Sequence, residues 1–229
     1  MITLPVSEVF GPTWQGEGPY AGTRTGFVRL GLCNLSCEWC DTPYTWDRTR
    51  FDLSSEITVM AVEKIHEELR AMDVPVVCLS GGEPLMQRAK LGELITGEWL
   101  WHAETNGTIV PPDWWGERVA HTSVSPKINT RDPLRKRIKR PALRAWAELA
   151  REGRACFKFV CSNQADLDRV AELVDHLELD DRDVWIMPLG TNVTQLLHHH
   201  AAIASGIEDY GWNTTTRLHI LLWGQERAR

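Results

Sequence analysis

Short β-rich runs alternate with segments of helical periodicity along most of the chain, and no other feature limits the fold as strongly. Strands joined by helical crossovers lie parallel in one sheet, with the helices packed outside it. Six or seven strands are fewer than the eight of a closed barrel. We therefore predict an α/β fold, a partial (β/α)6-type barrel with an open parallel sheet, in which residues 1–229 form a single domain.

The expected elements follow from residue type and spacing. The predicted strands are residues 26–32, 74–80, 99–105, 119–125, 156–162, 183–189 and 216–223. The predicted helices are residues 58–72, 87–95, 141–152, 164–177 and 192–211. Thr58 is the expected N-cap of the first helix, and Gly211 is expected to close the last one. Polar motifs follow most of the strands, and a site is expected at that rim of the sheet.

Composition and charge exclude several classes of protein. The net charge of −6 argues against stable nucleic-acid binding through overall charge. No apolar stretch reaches the roughly 18–20 residues of a membrane span, and the N-terminus MITLPVSEVF lacks the features of a signal peptide. We therefore expect a cytoplasmic protein without membrane contact, whose six cysteines are reduced, ligating or buried rather than paired.

Three of those cysteines, Cys33, Cys37 and Cys40, form a C-x3-C-x2-C pattern directly after the first predicted strand. A closed zinc site needs four ligands, and no fourth Cys or His lies nearby in the sequence. A [4Fe-4S] cluster held by three thiolates keeps one iron open for another molecule. Zinc with a distant fourth ligand and three inert cysteines are the alternatives.

The cysteine pattern, with Trp39 directly before Cys40, and the sequence SGGEP at 80–84 resemble the radical S-adenosylmethionine superfamily. This resemblance implies that the open iron binds the amino and carboxylate groups of S-adenosylmethionine. An electron from the reduced cluster would then split the sulfonium and release a 5′-deoxyadenosyl radical. Two glycines let the backbone approach a ligand closely, and the carboxylate of Glu83 can accept hydrogen bonds from an ammonium group.

A narrower resemblance rests on motifs spread over nearly the whole chain. They are FGPTWQGEGPYAG (10–22), FVRLGLCNLSCEWCDT (27–42), ETNGT (104–108), SPK (125–127) and LHILLWG (218–224). Together they resemble the 7-carboxy-7-deazaguanine synthase family, which QGEG separates from its superfamily relatives. The resemblance implies ring contraction of 6-carboxy-5,6,7,8-tetrahydropterin with loss of ammonia, in the biosynthesis of queuosine-type nucleosides.

The resemblance also implies which residues hold the pterin. They are Trp14, Gln15, Gly16, Glu17, Arg29, Ser80 and His219. Gln15 and Glu17 suit the edge of donors and acceptors that a pterin presents. A buried arginine needs a partner, and the substrate carboxylate would supply one for Arg29; a structural partner such as Asp41 or Glu83 is the alternative. For His219, the alternative is a satisfied core histidine.

Cofactor contacts are implied in the same way. The residues expected to make them are Trp39, Cys40, Asp41, Gly82, Glu83, Ser125, Pro126, Lys127 and Pro188. Thr42 is expected to bind Mg2+, with substrate and water completing a shell of oxygen ligands. Met187 stands where the family often has Gln. At loop 186–190 we therefore expect a contact to the cofactor from the backbone and not from this side chain.

The remaining features have simpler interpretations. Cys78, Cys156 and Cys161 are interpreted as buried strand thiols, and the triple histidine 198–200 as the solvated face of a helix. The basic stretch 131–144 is either a solvated loop or a surface for nucleic acid or an acidic electron donor such as flavodoxin. A homodimer is expected. The rival functions are an activase that makes a glycyl radical on a partner protein and a zinc module that binds nucleic acid.

Overall fold

The computed structural model describes residues 1–229, which form one nine-stranded sheet with helices packed against it. The strands are β1 (Thr3–Trp14), β2 (Arg24–Leu30), β3 (Thr58–Ala61), β4 (Val76–Gly81), β5 (Leu100–Thr105), β6 (Val119–Val124), β7 (Ala155–Cys161), β8 (Val184–Pro188) and β9 (Asn213–Thr214). The helices are α1 (Leu53–Glu56), α2 (Val62–Met72), α3 (Arg88–Leu94), α4 (Trp115–Arg118), α5 (Leu134–Arg137), α6 (Arg140–Arg151), α7 (Gln164–Leu177), α8 (Val193–Tyr210) and α9 (Leu218–Trp223).

The sheet is parallel through most of its width. Strands β2, β4, β5, β6, β7 and β8 pair in parallel and in chain order, and β9 adds a short parallel pair beside β8. At the other side, β1 and β3 are antiparallel additions. Because β3 and β9 do not pair with each other, the barrel stays open. The predicted partial (β/α)6-type barrel is confirmed.

The start of the first long helix was predicted wrongly. Thr58–Ala61 form strand β3, in which Thr58 pairs with Val6 of β1, and helix α2 begins only at Val62. The stiff β-branched side chains of Thr58 and Val59 favour the extended backbone for which β1 supplies a partner. Strand β1 itself carries no strong signal in the sequence, and the prediction missed it.

The predicted strand 216–223 is also wrong, because most of this segment forms helix α9. The amide of Leu218 donates a hydrogen bond to the carbonyl of Gly16 at 2.8 Å, which turns the chain over the rim of the barrel. A short apolar run does not distinguish a strand from a helix by periodicity alone. Helix α8 ends as expected, with Gly211 in the left-handed conformation.

Alternation along β7 shows how the fold separates core from site. Every residue of β7 is buried. Phe157 and Phe159 lie in the hydrophobic core together with Trp146 of α6 and Leu167 of α7. Successive side chains of a strand point to opposite faces, so Lys158, between the two phenylalanines, points into the barrel. The same alternation on neighbouring strands delivers polar side chains to the barrel interior.

Candidate active site

The carboxyl ends of the parallel strands open onto a cavity of about 780 Å³, a size that suits a small-molecule ligand. Most of the expected site residues line it. They are Trp14, Gln15, Gly16, Glu17, Arg29, Cys33, Cys37, Trp39, Cys40, Asp41, Thr42, Ser80, Gly82, Ser125, Lys127 and His219. Three others, Glu83, Pro126 and Pro188, are buried behind the cavity wall.

Hydrogen bonds from the protein reach two of the three loop thiols, those of Cys33 and Cys40. The amide of Leu35 donates to Cys33 Sγ at 3.4 Å, and the indole N–H of Trp46 donates to Cys40 Sγ at 3.3 Å. Hydrogen bonds to sulfur tune thiolate-bound clusters. Burial raises the pKa of the Cys33 thiol to about 12, so metal binding must displace a firmly held proton there.

The three loop thiols do not form the close set that a single metal ion needs. Thiolates on one tetrahedral zinc ion lie roughly 3.8 Å apart, given Zn–S bonds of about 2.3 Å. Cys33, Cys37 and Cys40 do not bring their sulfurs within 4.8 Å of one another as a set. A [4Fe-4S] cluster places each thiolate on a different iron, so its thiolates do not have to lie that close together. The three residues fit a cluster with one open iron.

A distant segment holds the cysteine loop in shape. The carboxylate of Asp132 accepts hydrogen bonds from the amide of Ser36 at 2.6 Å and from its hydroxyl at 3.1 Å. The indole of Trp39 donates to the carbonyl of Asn129 at 3.2 Å. Asp132 is buried, and sequence analysis missed it because its partner lies 96 residues away.

The SGGEP loop approaches the cysteine loop through backbone alone. Gly81 has a φ of +145°, a conformation that residues with a Cβ rarely adopt. A Cβ on Gly82 would lie 2.1 Å from the carbonyl oxygen of Leu32. The two glycines are therefore required for the close contact between the loops.

Glu83 stabilises the SGGEP loop from its buried side. Its side chain has no exposed surface, and its carboxylate accepts hydrogen bonds from the amide of Leu85 at 3.0 Å, the hydroxyl of Thr105 at 2.8 Å and the amide of Asn106 at 2.7 Å. The contact expected between Glu83 and an ammonium group stays a prediction, and the partners of the carboxylate in this structure all belong to the chain itself. Ser80, Gly81 and Gly82 are the residues of the loop that line the cavity.

Arg29 has a structural partner that sequence analysis did not name. Its Nε donates to Glu8 at 2.7 Å, rather than to Asp41 or Glu83. Glu8 also accepts from the hydroxyl of Tyr44 at 3.1 Å and from Arg227 at 3.0 Å. Because Glu8 shares its single negative charge between two arginines, Arg29 at the cavity wall retains the capacity to bind an anion.

A cluster of buried charges forms around Glu17. Its carboxylate pairs with Lys158 and with Arg217, whose Nε lies 2.9 Å away, and Arg217 also binds Asp41. Burial by itself would raise the pKa of Glu17, but the charges of Lys158 and Arg217 hold that pKa well below its usual value. Sequence analysis missed both cations. The signal that could have found Lys158 is a single charge inside an otherwise apolar strand.

His219 reaches the cavity from α9 and not from a strand. Its Nε2 lies 4.0 Å from Glu17 Oε1, and a Cβ on Gly16 would lie 2.1 Å from its Nδ1. Position 16 must therefore be glycine, because the imidazole ring of His219 occupies the space that a side chain would need. Nearby, Trp14 stacks on Trp223 with ring centroids 5.5 Å apart. Helix α9 and the QGEG segment thus form one wall.

Glu17, Asp41 and His219 bring ligand atoms within 4.8 Å of one another, as an ion site would. The guanidinium of Arg217 already lies between the two carboxylates. It supplies the positive charge that a cation would otherwise bring. We therefore interpret this group as an ion-pair network and not as a metal centre.

The opposite wall carries the side chains expected to face the cofactor. Lys127 donates to the hydroxyl of Ser125 at 2.9 Å, and its Nζ lies 5.4 Å from the centre of the Trp39 ring. Thr42 Oγ1 lies 3.7 Å from Cys40 Sγ. The hydroxyl is a hard oxygen donor at the edge of the cysteine loop, which suits Mg2+.

Comparison with known proteins agrees with this arrangement. A family model described as a 4Fe-4S single cluster domain matches residues 15–103. The chain is 39% identical to the 7-carboxy-7-deazaguanine synthase of Hyperthermus butylicus, over 96% of this chain and 92% of that protein. It is 31% identical to the enzyme of the same name from Bacillus subtilis, over 98% of each chain.

Two solved structures share the fold. QueE from Escherichia coli superposes with a TM-score of 0.68 at 23% identity, covering 95% of each chain. SuiB from Streptococcus suis, bound to S-adenosylmethionine, superposes with a TM-score of 0.51 at 15% identity, over 80% of this chain and 48% of SuiB.

The three thiols would leave one iron of a [4Fe-4S] cluster open, and they lie beside a glycine loop at the mouth of an incomplete barrel. This arrangement defines the protein as a radical S-adenosylmethionine enzyme with a [4Fe-4S] cluster. The relatives narrow this class, since they match the chain over almost its full length. The chain belongs to the 7-carboxy-7-deazaguanine synthase family. None of its helices is both long and apolar enough to cross a membrane.

Proposed function

We propose that this enzyme, acting as a single domain, converts 6-carboxy-5,6,7,8-tetrahydropterin to 7-carboxy-7-deazaguanine with loss of ammonia. The observation that carries the proposal is that the QGEG segment (15–18) and the cysteine loop (33–40) line one cavity. The amide of Gln15 and the carboxylate of Glu17 complement the N–H and carbonyl edge of a pterin. Product formation would serve the biosynthesis of queuosine-type 7-deazapurines.

In this proposal, one wall of the cavity binds the substrate. The residues that hold it are Trp14, Gln15, Gly16, Glu17, Arg29, Ser80 and His219. Arg29 would take the substrate carboxylate in a charge-assisted pair. Burial lowers the pKa of His219, so its ring is neutral near pH 7 and adds a hydrogen bond without adding charge.

The other wall would bind S-adenosylmethionine. The residues proposed for it are Trp39, Cys40, Asp41, Gly82, Glu83, Ser125, Pro126, Lys127 and Pro188, and the last proline and Glu83 would act by shaping their loops. When bound, the cluster and S-adenosylmethionine supply the carbon radical that starts the reaction. The residues of the chain orient both molecules and exclude water from the space between them.

Mg2+ is proposed at Thr42, with substrate and water as the other ligands. Replacement of Thr42 by Val keeps the volume and removes the ligand oxygen. We expect 5′-deoxyadenosine release to continue while deazaguanine formation slows, so their ratio rises, because the metal orients the substrate and not the cofactor. A magnesium chelator should raise the same ratio in the wild-type enzyme. Turnover that is indifferent to the chelator would exclude the metal role.

The proposed reaction is tested by anaerobic turnover. The purified protein is supplied with a reductant, S-adenosylmethionine, Mg2+ and the carboxypterin, and product and ammonia are quantified. A brown protein that forms deazaguanine supports the proposal. A colourless protein holding one zinc would exclude it, and cleavage of S-adenosylmethionine without any effect of the pterin would favour the glycyl-radical activase.

An acidic electron donor such as flavodoxin is proposed to deliver the electron. The stretch 131–144 holds seven basic residues and one acidic residue in a chain of net charge −6, and its Asp132 contacts the cysteine loop. Replacing the exposed Arg135 and Lys139 by Glu should slow turnover driven by flavodoxin and leave turnover driven by dithionite unchanged. The matched control replaces Lys64 and Lys90 of α2 and α3 by Glu.

We also propose a homodimer that works in the cytoplasm. Trp14, Leu221 and Leu222 are 46%, 37% and 49% exposed on one side of the molecule, around helix α9. Exposed apolar groups of this kind often mark protein interfaces. Sedimentation should show a dimer that Leu222→Glu dissociates; a wild-type monomer at micromolar concentration would contradict this.

A further inference from the structure

Lys158 is a buried cation to which neither the substrate nor the cofactor has been assigned. It points from β7 into the floor of the cavity, and 5% of its side chain is exposed. Its Nζ forms an ion pair with Glu17 Oε2 and lies 3.8 Å from Glu104 Oε1. One ammonium group therefore lies between two carboxylates that reach the cavity from different strands and loops.

The two carboxylates depend on Lys158 to different degrees. Glu17 has a second cation, because Arg217 Nε lies 2.9 Å from its Oε1. Glu104 otherwise has only neutral partners, the hydroxyl of Ser80 at 2.9 Å and the amide of Gln15 at 3.5 Å. Charges removed from water need compensating partners. Without Lys158, no cation would lie within 4 Å of Glu104.

Other ionisable groups face this cluster, and most keep one protonation state near neutral pH. Opposing charges lower the pKa of Asp41, and burial raises the pKa of the Cys78 and Cys156 thiols. The groups that face Glu17 or Glu104 are Arg29, Asp41, Cys78, Cys156, Arg217 and His219. Burial lowers the pKa of His219, so its ring is neutral near pH 7, and it is unchanged in the variants below.

We propose that Lys158 is a positioning residue that keeps Glu17 and Glu104 ionised together, so that both carboxylates accept hydrogen bonds from one ligand. The ligand class is a flat heterocycle with several N–H donors on one edge, such as the pterin of the proposed function, on which this inference rests. A protonated carboxyl would point its O–H donor at an N–H donor of the ligand, and the hydrogen bond would be lost. Without Lys158, Glu17 would still pair with Arg217, but Glu104 would lie beside that carboxylate with no cation of its own and would retain a proton.

The test is Lys158→Met, which keeps the length of the side chain and removes its charge. Binding of pterin-6-carboxylic acid to the cluster-free protein is measured by calorimetry at about pH 6 and about pH 8. Loss of the Lys158 charge should raise the pKa of the carboxyl pair in the variant. Below that pKa, the variant should bind the probe roughly tenfold more weakly than wild type for each pH unit. Lys158→Arg should restore the wild-type ratio of the two affinities, and Cys161→Ala on the same strand should keep it.

A purely structural role would weaken binding by the same factor at both pH values, and that result would overturn the proposal. Difference infrared spectroscopy gives a second readout that needs no ligand. Lys158→Met should show the carbonyl band of a protonated carboxyl at neutral pH, and the double variant with Glu104→Gln should not.

If wild type fails to bind the probe, the proposed function fails, and the infrared band still decides the role of Lys158. If the single variant does not fold, folding of the double variant supports the pairing, and failure of both contradicts it.

Discussion

At the scale of the residue, the six cysteines separate into two groups by their surroundings. Cys33, Cys37 and Cys40 face the cavity, whereas Cys161 and the other two strand cysteines are fully buried in the sheet, as the sequence predicted. Only the first group has room for a cluster. The same residue type therefore serves the metal site in one place and packing in the other.

Cys37→Ala should abolish cleavage of S-adenosylmethionine, because each loop thiol holds one iron and no spare thiol reaches the cavity. The measurement is 5′-deoxyadenosine formation after anaerobic reconstitution, together with iron content. Cys161→Ala is the matched control, which should retain activity and lose about 1 kcal/mol of unfolding free energy through packing. Full turnover by Cys37→Ala would contradict the cluster assignment.

Arg29→Ala tests whether the arginine serves the substrate or only Glu8. We expect carboxypterin binding to weaken by about 2–5 kcal/mol, or roughly thirtyfold and more, with the iron content unchanged. Glu8 keeps its bond to Arg227, so the fold should survive. Glu8→Gln leaves Arg29 charged and is expected to bind the substrate at least as well as wild type. An equal loss in both variants would make the pair structural.

At the scale of the element, the SGGEP loop and the cysteine loop act as one unit because glycines let their backbones touch. A Cβ on Gly82 would meet the Leu32 carbonyl at 2.1 Å, whereas a Cβ on Gly97 would meet nothing within 4 Å. Glu83 supports the loop from the buried side through Asn106 and Thr105. The geometry of the loop therefore depends on strands β4 and β5 together.

Gly82→Ala should weaken S-adenosylmethionine binding strongly while costing about 1–3 kcal/mol of stability, because the loop must move away from the cysteines. Gly97→Ala is the control for the loss of a glycine, and its effect on stability should be neutral or favourable by about 0.4–1 kcal/mol. Equilibrium dialysis with S-adenosylmethionine and urea unfolding separate the two effects. Unaltered cofactor affinity in Gly82→Ala would show that the loop does not contact the cofactor.

At the scale of the whole molecule, buried thiols make the cluster-free protein sensitive to alkali. Burial raises the pKa of Cys33 and of Cys156 to about 12, and it raises the pKa of Cys161 and Cys78 as well. An unfolded thiol ionises near pH 8.5. The unfolded state therefore loses protons first, and stability present below that pH is lost as the pH rises towards the folded pKa.

The expected loss is about 1.4 kcal/mol per pH unit for each such thiol. Urea unfolding of the cluster-free protein at about pH 8 and about pH 10 measures it. Cys161→Ala removes one of these thiols, so the variant should lose less stability over the same interval than wild type. Identical slopes for the two proteins would show that this thiol ionises equally in the folded and unfolded states.

The sequence by itself determined the parts that depend on near neighbours. The alternation of strands and helices indicated the partial barrel. The cysteine spacing, QGEG and SGGEP indicated the class of chemistry, and most of the site residues expected from these motifs line the cavity. These patterns are readable because loop motifs and strand ends are local, and parallel strands bring their carboxyl ends to one rim.

Tertiary structure decided what depends on partners far along the chain. Glu17 meets Lys158 and Arg217, which are 141 and 200 residues away, and Arg29 meets Glu8 on a strand that the sequence did not reveal. Segment 216–223 became a helix because its neighbour in space is the QGEG segment and not β8. A charge or a short apolar run is compatible with several local structures, and only packing against distant residues selects one of them.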